Sequence, residues 1–280
     1  MTGTGRARSK AAVASAAPSD TGTEAEFLAA YDRSAYPPVA VTADIVVLTV
    51  RNGRLAVLLV ERAGHPFQGC WALPGGFVDE HEDVDDTASR ELREETGLEL
   101  TVAAAAGQGG GHLEQLRTYG APGRDPRLHV ISVAYVAMVA DAPAPAAGSD
   151  AARARYWLVE DLAVLGSRTG ATLAFDHATI LGDAVERVRA KLEYSTLATA
   201  FVEQPFTLGE LRRVYEAVWG EPVHEANFRR KVLSTPGFVE PTGSTAATDG
   251  RPAQLYRRGD ATVLHPPLLR SHAMADRRDR

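Results

Sequence analysis

The sequence predicts an α/β protein in two parts: an α/β/α sandwich with a mixed sheet, and a smaller C-terminal domain of helices closed by a hairpin. Three features of the chain indicate this. Long β-branched runs flank Asn52-Gly53, an acidic helix follows a pair of glycines, and beyond Tyr194 the pattern changes to capped helices and short strands. A length of 280 residues also suits two domains.

The composition is that of an ordinary globular protein, with 45% hydrophobic residues. The single Cys70 excludes an internal disulfide framework and is expected in a reducing cytoplasm. No apolar stretch approaches the roughly 18 residues that cross a membrane, and the start of the chain lacks the apolar core of a signal peptide. We therefore expect a cytoplasmic protein with no membrane partner, a disordered tail over residues 1–35 and a flexible tail over residues 266–280.

The net charge of −6 is unevenly distributed. Residues 200–280 hold 12 Lys and Arg against 10 Asp and Glu, a balance of +2, whereas the rest of the chain holds 18 against 26, a balance of −8. An acidic body with a mildly basic C-terminal part indicates that an anionic partner would meet the C-terminal end.

The first domain, predicted over residues 36–193, begins with a hairpin. Val39–Val50 and Arg54–Val60 are β-branched runs, and the Asn52-Gly53 pair between them is typical of a type I′ turn. Further strands are predicted at Leu98–Ala104, Val130–Val139 and Tyr156–Val159. Loops are expected at residues 107–111, 113–127 and 141–150.

Two helices complete this domain. No Pro or Gly interrupts Thr87–Thr96, and Gly97 stands where a left-handed helix C-cap is needed. Phe175–Leu192 carries apolar residues at helical spacing. Strands enclosed by two helices indicate the sandwich.

The acidic helix carries three carboxylates on one face, because Glu91, Glu94 and Glu95 stand at i, i+3 and i+4. Such groups repel one another unless a cation lies among them, and the oxygen-seeking Mg²⁺ or Mn²⁺ is the natural candidate. Arg90 precedes Glu94 by four residues and is expected to hold its carboxylate. A solvated acidic helix with a glycine cap remains the alternative.

The residues around this helix fit a longer pattern. Nine positions in the 23 residues from Gly76 to Leu98 match Gly, five residues, Glu, seven residues, Arg-Glu-Leu-x-Glu-Glu-x-Gly-Leu. This resembles the Nudix box, the signature of hydrolases that cleave nucleoside diphosphates linked to another moiety. The Gly75-Gly76 pair before the helix predicts a tight turn that allows backbone to approach a ligand closely.

The resemblance implies roles for the box residues. Glu91, Glu94 and Glu95 would hold the metal with the Gly75 carbonyl, and Glu91 or Glu94 would assist the attacking water. The metal would polarise a pyrophosphate oxygen and lower the pKa of that water. The predicted catalytic residues are Glu82, Arg90, Glu91, Glu94 and Glu95.

Other residues are candidates for ligand contact. Arg62 could meet a diphosphate, and Tyr119 could stack on adenine or merely anchor its loop. Glu114 and Asp125 lie on the predicted loop outside the box, where Nudix pyrophosphatases often place an extra carboxylate. The predicted ligand-binding residues are Arg62, Gly76, Glu114, Tyr119 and Arg127. The eight histidines show no zinc spacing.

The second domain is predicted over residues 194–265. Ser195–Val202 is expected to form a short helix, and Thr207 and Glu210 form a capping box at the start of a helix that Gly220 ends. A further helix over Glu225–Ser234 is followed by two strands, near residues 238–240 and 253–257.

This order of helices followed by a hairpin indicates a winged helix-turn-helix. Its second paired helix would offer polar side chains to DNA, with Gln254 on the wing. The predicted DNA-binding residues are Asn227, Arg229, Arg230, Lys231 and Arg251. A small subdomain that only dimerises is the alternative.

Both halves together resemble one family, the Nudix-related transcriptional regulators of NAD metabolism. The resemblance runs from Pro37 to Arg257 and includes the segments at residues 71–77, 113–127, 173–177, 206–211, 227–230 and 251–256. It implies a dimeric repressor whose Nudix domain binds ADP-ribose and so controls binding to a double-stranded operator. The complete box favours retained hydrolysis of ADP-ribose. The alternative is a housekeeping Nudix hydrolase whose C-terminal domain only dimerises.

Overall fold

The computed structural model describes residues 23–100, 102, 111–140, 142, 151–162, 172–247 and 252–270. The chain divides into two compact units, residues 1–38 and 39–280. In the first, helix α1 (Glu24–Ala30) starts at a capping box of Thr23 and Glu26, and a 3₁₀ turn covers Arg33–Ala35. The predicted disorder over residues 1–35 is therefore wrong for these helices, and residues 1–22 lie outside the described residues.

In the second unit, seven strands form one mixed sheet. The strands are β1 (Val39–Arg51), β2 (Arg54–Arg62), β3 (Trp71–Ala72), β4 (Gly75–Phe77), β5 (Gly111–Tyr119), β6 (His129–Val139) and β7 (Ala151–Leu158). Their order is β3-β2-β1-β6-β5, with β4 paired to β1 and β7 paired to β2. Only β1 and β6 run parallel among these pairs in the described part of the chain. The mixed sheet is confirmed, as is the hairpin turn, where Asn52 and Gly53 both have positive φ.

The alternation of side chains along β1 builds two cores. Val46 and Leu48 belong to one cluster, which includes apolar residues of helix α3 (His177–Tyr194). Ile45 and Val47 belong to another, which includes Leu92 of helix α2 (Val84–Thr96). Because successive side chains of a strand point to opposite faces, each helix covers one face of the sheet. The predicted α/β/α sandwich is confirmed.

The helix limits differ slightly from the expected ones. Helix α2 starts three residues before Thr87, since the Asp83 side chain caps it by accepting from the Asp85 amide, and it ends at the left-handed Gly97. Helix α3 starts two residues after Phe175, whose φ of 52° is incompatible with a helix.

One predicted loop is a strand. Residues 111–119 form β5, which pairs antiparallel with β6 at the end of the sheet path and is interrupted by an irregularity between Gln115 and Arg117. Exposed polar residues on β5 obscure its apolar alternation, which explains why the pattern did not reveal it. Leu98–Leu100, where a strand was predicted, has no regular structure, and residues 101 and 103–104 of that segment lie outside the described residues.

The C-terminal part has the predicted order of elements. A 3₁₀ helix (Leu197–Phe201) precedes α4 (Leu208–Trp219) and α5 (Glu225–Ser234). The strands β9 (Val239–Ala246) and β10 (Ala253–Arg258) form the wing hairpin, and a short β8 (Phe206–Thr207) adds a third strand beside β10. Helices, turn and hairpin confirm the winged helix-turn-helix.

The two parts share one hydrophobic core. The cluster that holds Val46 and Ile180 of the sandwich continues into Tyr215, Phe228 and Val232 of the winged helix. Two hydrogen bonds, each from a side chain to a backbone carbonyl, also join α3 and α4. Arg189 Nε donates to the Val218 carbonyl at 2.9 Å and Trp219 Nε1 donates to the Arg189 carbonyl at 3.2 Å. No helix within the described ranges is long and apolar enough to cross a membrane.

The capping box of α4 provides a test of the fold. Thr207 Oγ1 accepts from the Glu210 amide at 3.2 Å, and the Glu210 carboxylate accepts from the Thr207 amide at 2.7 Å. We expect Thr207→Ala to lower the free energy of unfolding by about 1 kcal/mol, because it leaves the Glu210 amide without its side-chain partner. Thr207→Ser keeps the cap and should cost clearly less. Chemical denaturation of both variants measures this, and equal losses would contradict it.

Candidate functional site

A cleft of about 790 Å³ opens between α2, β1, β2, β4 and the 120–128 loop. We call this pocket the cleft. It contains most of the predicted Nudix residues together with several that the sequence did not single out. The polar residues and glycines that line it include Asp44, Arg62, Gly75, Gly76, Asp79, Arg90, Glu91, Glu94, Glu95, Arg124, Asp125, Arg127 and His177.

Gly75 and Gly76, which were predicted to form a tight turn, lie in strand β4, so close to β1 and α2 that no side chain fits there. A Cβ on Gly75, whose φ is +152°, would meet the Ala43 carbonyl at 2.2 Å. A Cβ on Gly76 would stand 2.1 Å from Glu91 Oε1. The Gly75 amide also donates to Glu95 Oε2 at 3.2 Å. The two glycines therefore allow backbone to lie against the carboxylates of the helix.

Arg90 organises the acidic face. Its guanidinium binds Glu82 through two bonds, Nε to Oε1 at 2.8 Å and Nη2 to Oε2 at 2.9 Å. Its Nη1 donates to Glu91 Oε1 at 2.7 Å and reaches Glu94 Oε2 only at 3.5 Å. The expected contact with Glu94 is present, but the shorter bonds of Arg90 go to Glu82 and Glu91, because the loop before α2 brings Glu82 into bidentate geometry with the guanidinium.

The electrostatics follow from this arrangement. The hydrogen bonds from Arg90 lower the pKa of Glu82 to about 2, and the same pairing raises the pKa of Arg90 above its ordinary value. Burial raises the pKa of Glu91, against the opposing effect of Arg90. Burial disfavours the charged form of a carboxylate. A further cation beside it would stabilise that charged form.

The donors on α2 suit a hard divalent cation. Glu91, Glu94 and Glu95 all line the cleft beside the Gly75 backbone, and carboxylate and carbonyl oxygens are the ligands such ions prefer. In the part of the chain that the structure describes, no three acidic, imidazole or thiol groups form a preassembled metal site. Arg90 already supplies positive charge beside Glu91. The residues therefore fit a metal, provided that the glutamate side chains adjust around the ion.

Guanidinium groups and phenyl rings also line the cleft. Arg62 lies over the Phe175 ring at 5.0 Å, and Arg127 lies over Phe77 at 5.1 Å. Burial lowers the pKa of Arg62, with a contribution from the charge of Arg127. Asp125 holds Arg127, with 2.7 Å between Oδ2 and Nη2. The cleft therefore holds guanidinium groups as well as carboxylates, a combination that suits an anion bound beside a metal.

The sequence did not single out the buried ion network of Asp44, Arg124, Asp176 and His177. Arg124 binds Asp176 through Nη2 to Oδ1 at 2.6 Å and Nε to Oδ2 at 3.0 Å. Asp44 accepts from Ser132 and lies 3.7 Å from Arg124. Burial lowers the pKa of His177, whose Nδ1 accepts from the Leu73 amide at 2.9 Å. The available signal was a lone carboxylate, Asp44, within the apolar run of β1.

Two predicted ligand residues lie elsewhere. Arg62, Gly76 and Arg127 line the cleft, but Glu114 and Tyr119 are not among the residues that line it. Both belong to β5 and bind side chains of α3, since Lys191 Nζ donates to Glu114 and Tyr119 Oη donates to Asp183 at 2.7 Å. The placement of Glu114 on a loop beside the box is wrong, because residues 111–119 form an edge strand.

The candidate DNA-reading surface lies on α5. Asn227, Arg229 and Arg230 are exposed, and Arg230 donates to Asn227 at 3.4 Å. Lys231 is half-buried and its Nζ donates to the Pro266 carbonyl, so it does not face outward freely as predicted. On the wing, the Gln254 amide donates to the Ser244 carbonyl at 3.0 Å. Arg251 lies outside the described residues.

Comparisons with known proteins identify both halves. The model of the NUDIX domain matches residues 39–175, and that of the NrtR DNA-binding winged helix domain matches residues 199–258. The chain is similar to the ADPR responsive transcriptional repressor NtrR of Acinetobacter baylyi, with 33% identity covering 84% of this chain and 88% of the relative.

Solved structures agree. Shewanella oneidensis NrtR complexed with a 27mer DNA is 33% identical, with a TM-score of 0.62, and the match covers 77% of this chain and 92% of that one. The Nudix domain of the same protein complexed with ADP ribose is 34% identical, with a TM-score of 0.50, and the match covers 60% and 99%. The chain therefore belongs to the NrtR family of Nudix-related transcriptional repressors.

Proposed function

We propose that this protein is an ADP-ribose-responsive repressor of NAD-metabolism genes that binds its operator as a homodimer. The observation that carries the proposal is the union, in one chain, of a Nudix cleft and an NrtR-type winged helix. The likeness to a repressor described as responsive to ADPR extends over 84% of the chain, so it includes both parts and their junction.

The cleft suits a nucleoside diphosphate. Arg62 and Arg127 line it and would contact a diphosphate, and the carboxylates of α2 that line it would hold a metal whose positive charge favours phosphate. The phenyl rings of Phe77 and Phe175 support these guanidinium groups. ADP-ribose combines the charge and length that this arrangement needs.

We further propose that slow hydrolysis is retained, with Mg²⁺ or Mn²⁺ as the ion. Glu91, Glu94 and Glu95 would hold it with the Gly75 carbonyl, and when bound it supplies a polarised phosphate and a more acidic water. Glu82 orients Arg90, which in turn positions Glu91. Glu91 or Glu94 would accept the proton of the attacking water. A sensor that quickly destroys its effector cannot report it, so either slow turnover or hydrolysis of a different substrate would reconcile the two activities.

The alternative is a housekeeping Nudix hydrolase whose C-terminal domain only dimerises. The surface of α5 favours the repressor, because Asn227, Arg229 and Arg230 expose amide and guanidinium groups where a pure packing helix would carry apolar side chains. The exposed Leu233 on the same helix is the feature that favours dimerisation.

Hydrolysis is tested at Glu94. With Mg²⁺ or Mn²⁺, the purified protein should release AMP and ribose 5-phosphate from ADP-ribose, and Glu94→Gln should reduce the rate by about two orders of magnitude or more because a metal-binding charge is lost. Asp86→Asn removes an exposed charge from the same helix outside the cleft and should leave the rate unchanged. Equal background rates for wild type and Glu94→Gln would mean that the box only binds.

DNA reading is tested at Arg230, using an operator duplex selected by the protein from a random-sequence library. Arg230→Ala should weaken binding by roughly 1–3 kcal/mol if the side chain reads a base. If it contacts phosphate, the loss should be similar for all sequences and the salt slope should fall by about one. Arg54→Ala removes an exposed arginine of β2 as a control. Unchanged affinity in a folded Arg230→Ala dimer would contradict DNA reading.

Ligand response is tested by operator titration with and without saturating ADP-ribose, in Glu94→Gln protein so that the ligand survives. We expect operator affinity to fall by about 5–150-fold, the usual allosteric range. Release is expected because a repressor of NAD synthesis should leave its operator when products of NAD breakdown accumulate. By reciprocity, operator DNA should weaken ADP-ribose binding by the same factor. Superimposable titration curves would contradict the ligand-responsive repressor and leave the hydrolase as the remaining function.

A further inference from the structure

The segment that follows the wing returns to the Nudix half of the molecule. We name residues 261–270 the C-terminal strap. The amide of Leu264 donates to the Tyr194 carbonyl at 2.7 Å, and the amide of Leu268 donates to the Glu193 carbonyl at 2.7 Å. Leu264 is buried in the shared core and Leu268 packs against it. The strap is therefore anchored on the C-terminal end of α3, and the expected flexible tail over residues 266–280 is wrong for residues 266–270.

Charged groups strengthen this anchor. Arg270 Nε donates to Glu193 Oε1 at 2.8 Å, and its Nη1 reaches Glu186 Oε2 at 3.3 Å. The two glutamates raise the pKa of Arg270, against the effect of its burial. Between these anchor points, the Pro266 carbonyl accepts from Lys231 Nζ on α5. The strap thus contacts α3 and the DNA-reading helix at once.

The other end of α3 lies at the cleft. Its N-terminal His177 lines the cleft, and the preceding Asp176 binds Arg124, which also lines it. The helix has 18 residues and is about 27 Å long at 1.5 Å per residue. Because Ile180, Val188 and other residues along it are buried in the core, the helix is packed as one rigid element.

We propose that α3 and the C-terminal strap transmit the state of the cleft to the DNA-reading helix. The proposal rests on the proposed function, since it explains how ADP-ribose would act on the operator. An anionic ligand in the cleft competes with Asp176 for Arg124. It therefore weakens the ion pair between Arg124 and Asp176 at the N-terminal end of α3. Movement of α3 carries Glu193 and Tyr194 with it, and the strap passes that movement to Lys231. Shifts of about 1–2 Å suffice for such switches.

The competing route runs through Arg189, which joins α3 directly to the end of α4. The two routes differ in their dependence on Arg270. If the strap carries the coupling, releasing it from α3 must abolish the ligand's effect while the Arg189 contact remains. If Arg189 carries it, releasing the strap changes nothing.

The test is operator titration with and without saturating ADP-ribose, with every variant built in Glu94→Gln protein so that the ligand survives and with that protein as the wild-type reference. Arg270→Gln removes the charge that pairs with both glutamates, and Glu193→Gln breaks the same contact from the α3 side. Both variants should bind operator and ADP-ribose separately much as wild type does. Their coupling factor should fall from the wild-type range of about 5–150-fold to less than about twofold.

The control is Arg54→Gln, which removes an exposed ion pair with Glu160 far along the chain from the strap. It should retain the full coupling factor. Wild-type coupling in both strap variants would overturn the strap proposal and leave the proposed function intact. No ligand effect in wild type would overturn both. Melting temperatures of all variants identify any that fail to fold, and the remaining strap variant then decides the outcome.

Discussion

The rest of the site depends on the ion pair between Arg90 and Glu82. It fixes the guanidinium beside Glu91, where positive charge offsets the repulsion among acidic side chains on one helix face. The bonds from Arg90 hold Glu82 charged across the ordinary pH range, with a pKa of about 2. Gly76 then approaches Glu91 closely, because no side chain stands between them. Arg90 and the glycines thus hold Glu91 in place, and the other glutamates would adjust around a metal.

The same sheet joins that surface to the DNA-binding half. Strand β1 packs against α2 on one face and against α3 on the other, so the helix that carries the carboxylates and the helix that contacts the strap share one backbone support. The buried ion network at the start of α3 adds charged contacts between the cleft and that helix. Under the proposal, a ligand would act by changing how α3 is held at this end.

The sequence by itself determined the features that depend on neighbours in the chain. Asn52-Gly53 closes a type I′ hairpin, Gly97 ends α2, and Thr207 caps α4, because turn and cap conformations follow from local backbone and side-chain preferences. The spacing of Glu91, Glu94 and Glu95 set their common face for the same reason. Family membership could be inferred because the motifs of both domains are contiguous segments of the sequence.

Only the tertiary structure decided the contacts made across long stretches of chain. It placed Glu114 on an edge strand against α3 rather than near the box, and it paired Arg124 with Asp176 inside the protein. It also drew Lys231 toward the strap. The physical reason is that the sequence around a charged residue does not indicate which distant residue it will pair with. The partner is set by burial and by which distant elements pack together. A buried charge is costly unless it is paired, so it pairs with the opposite charge that the fold brings nearby.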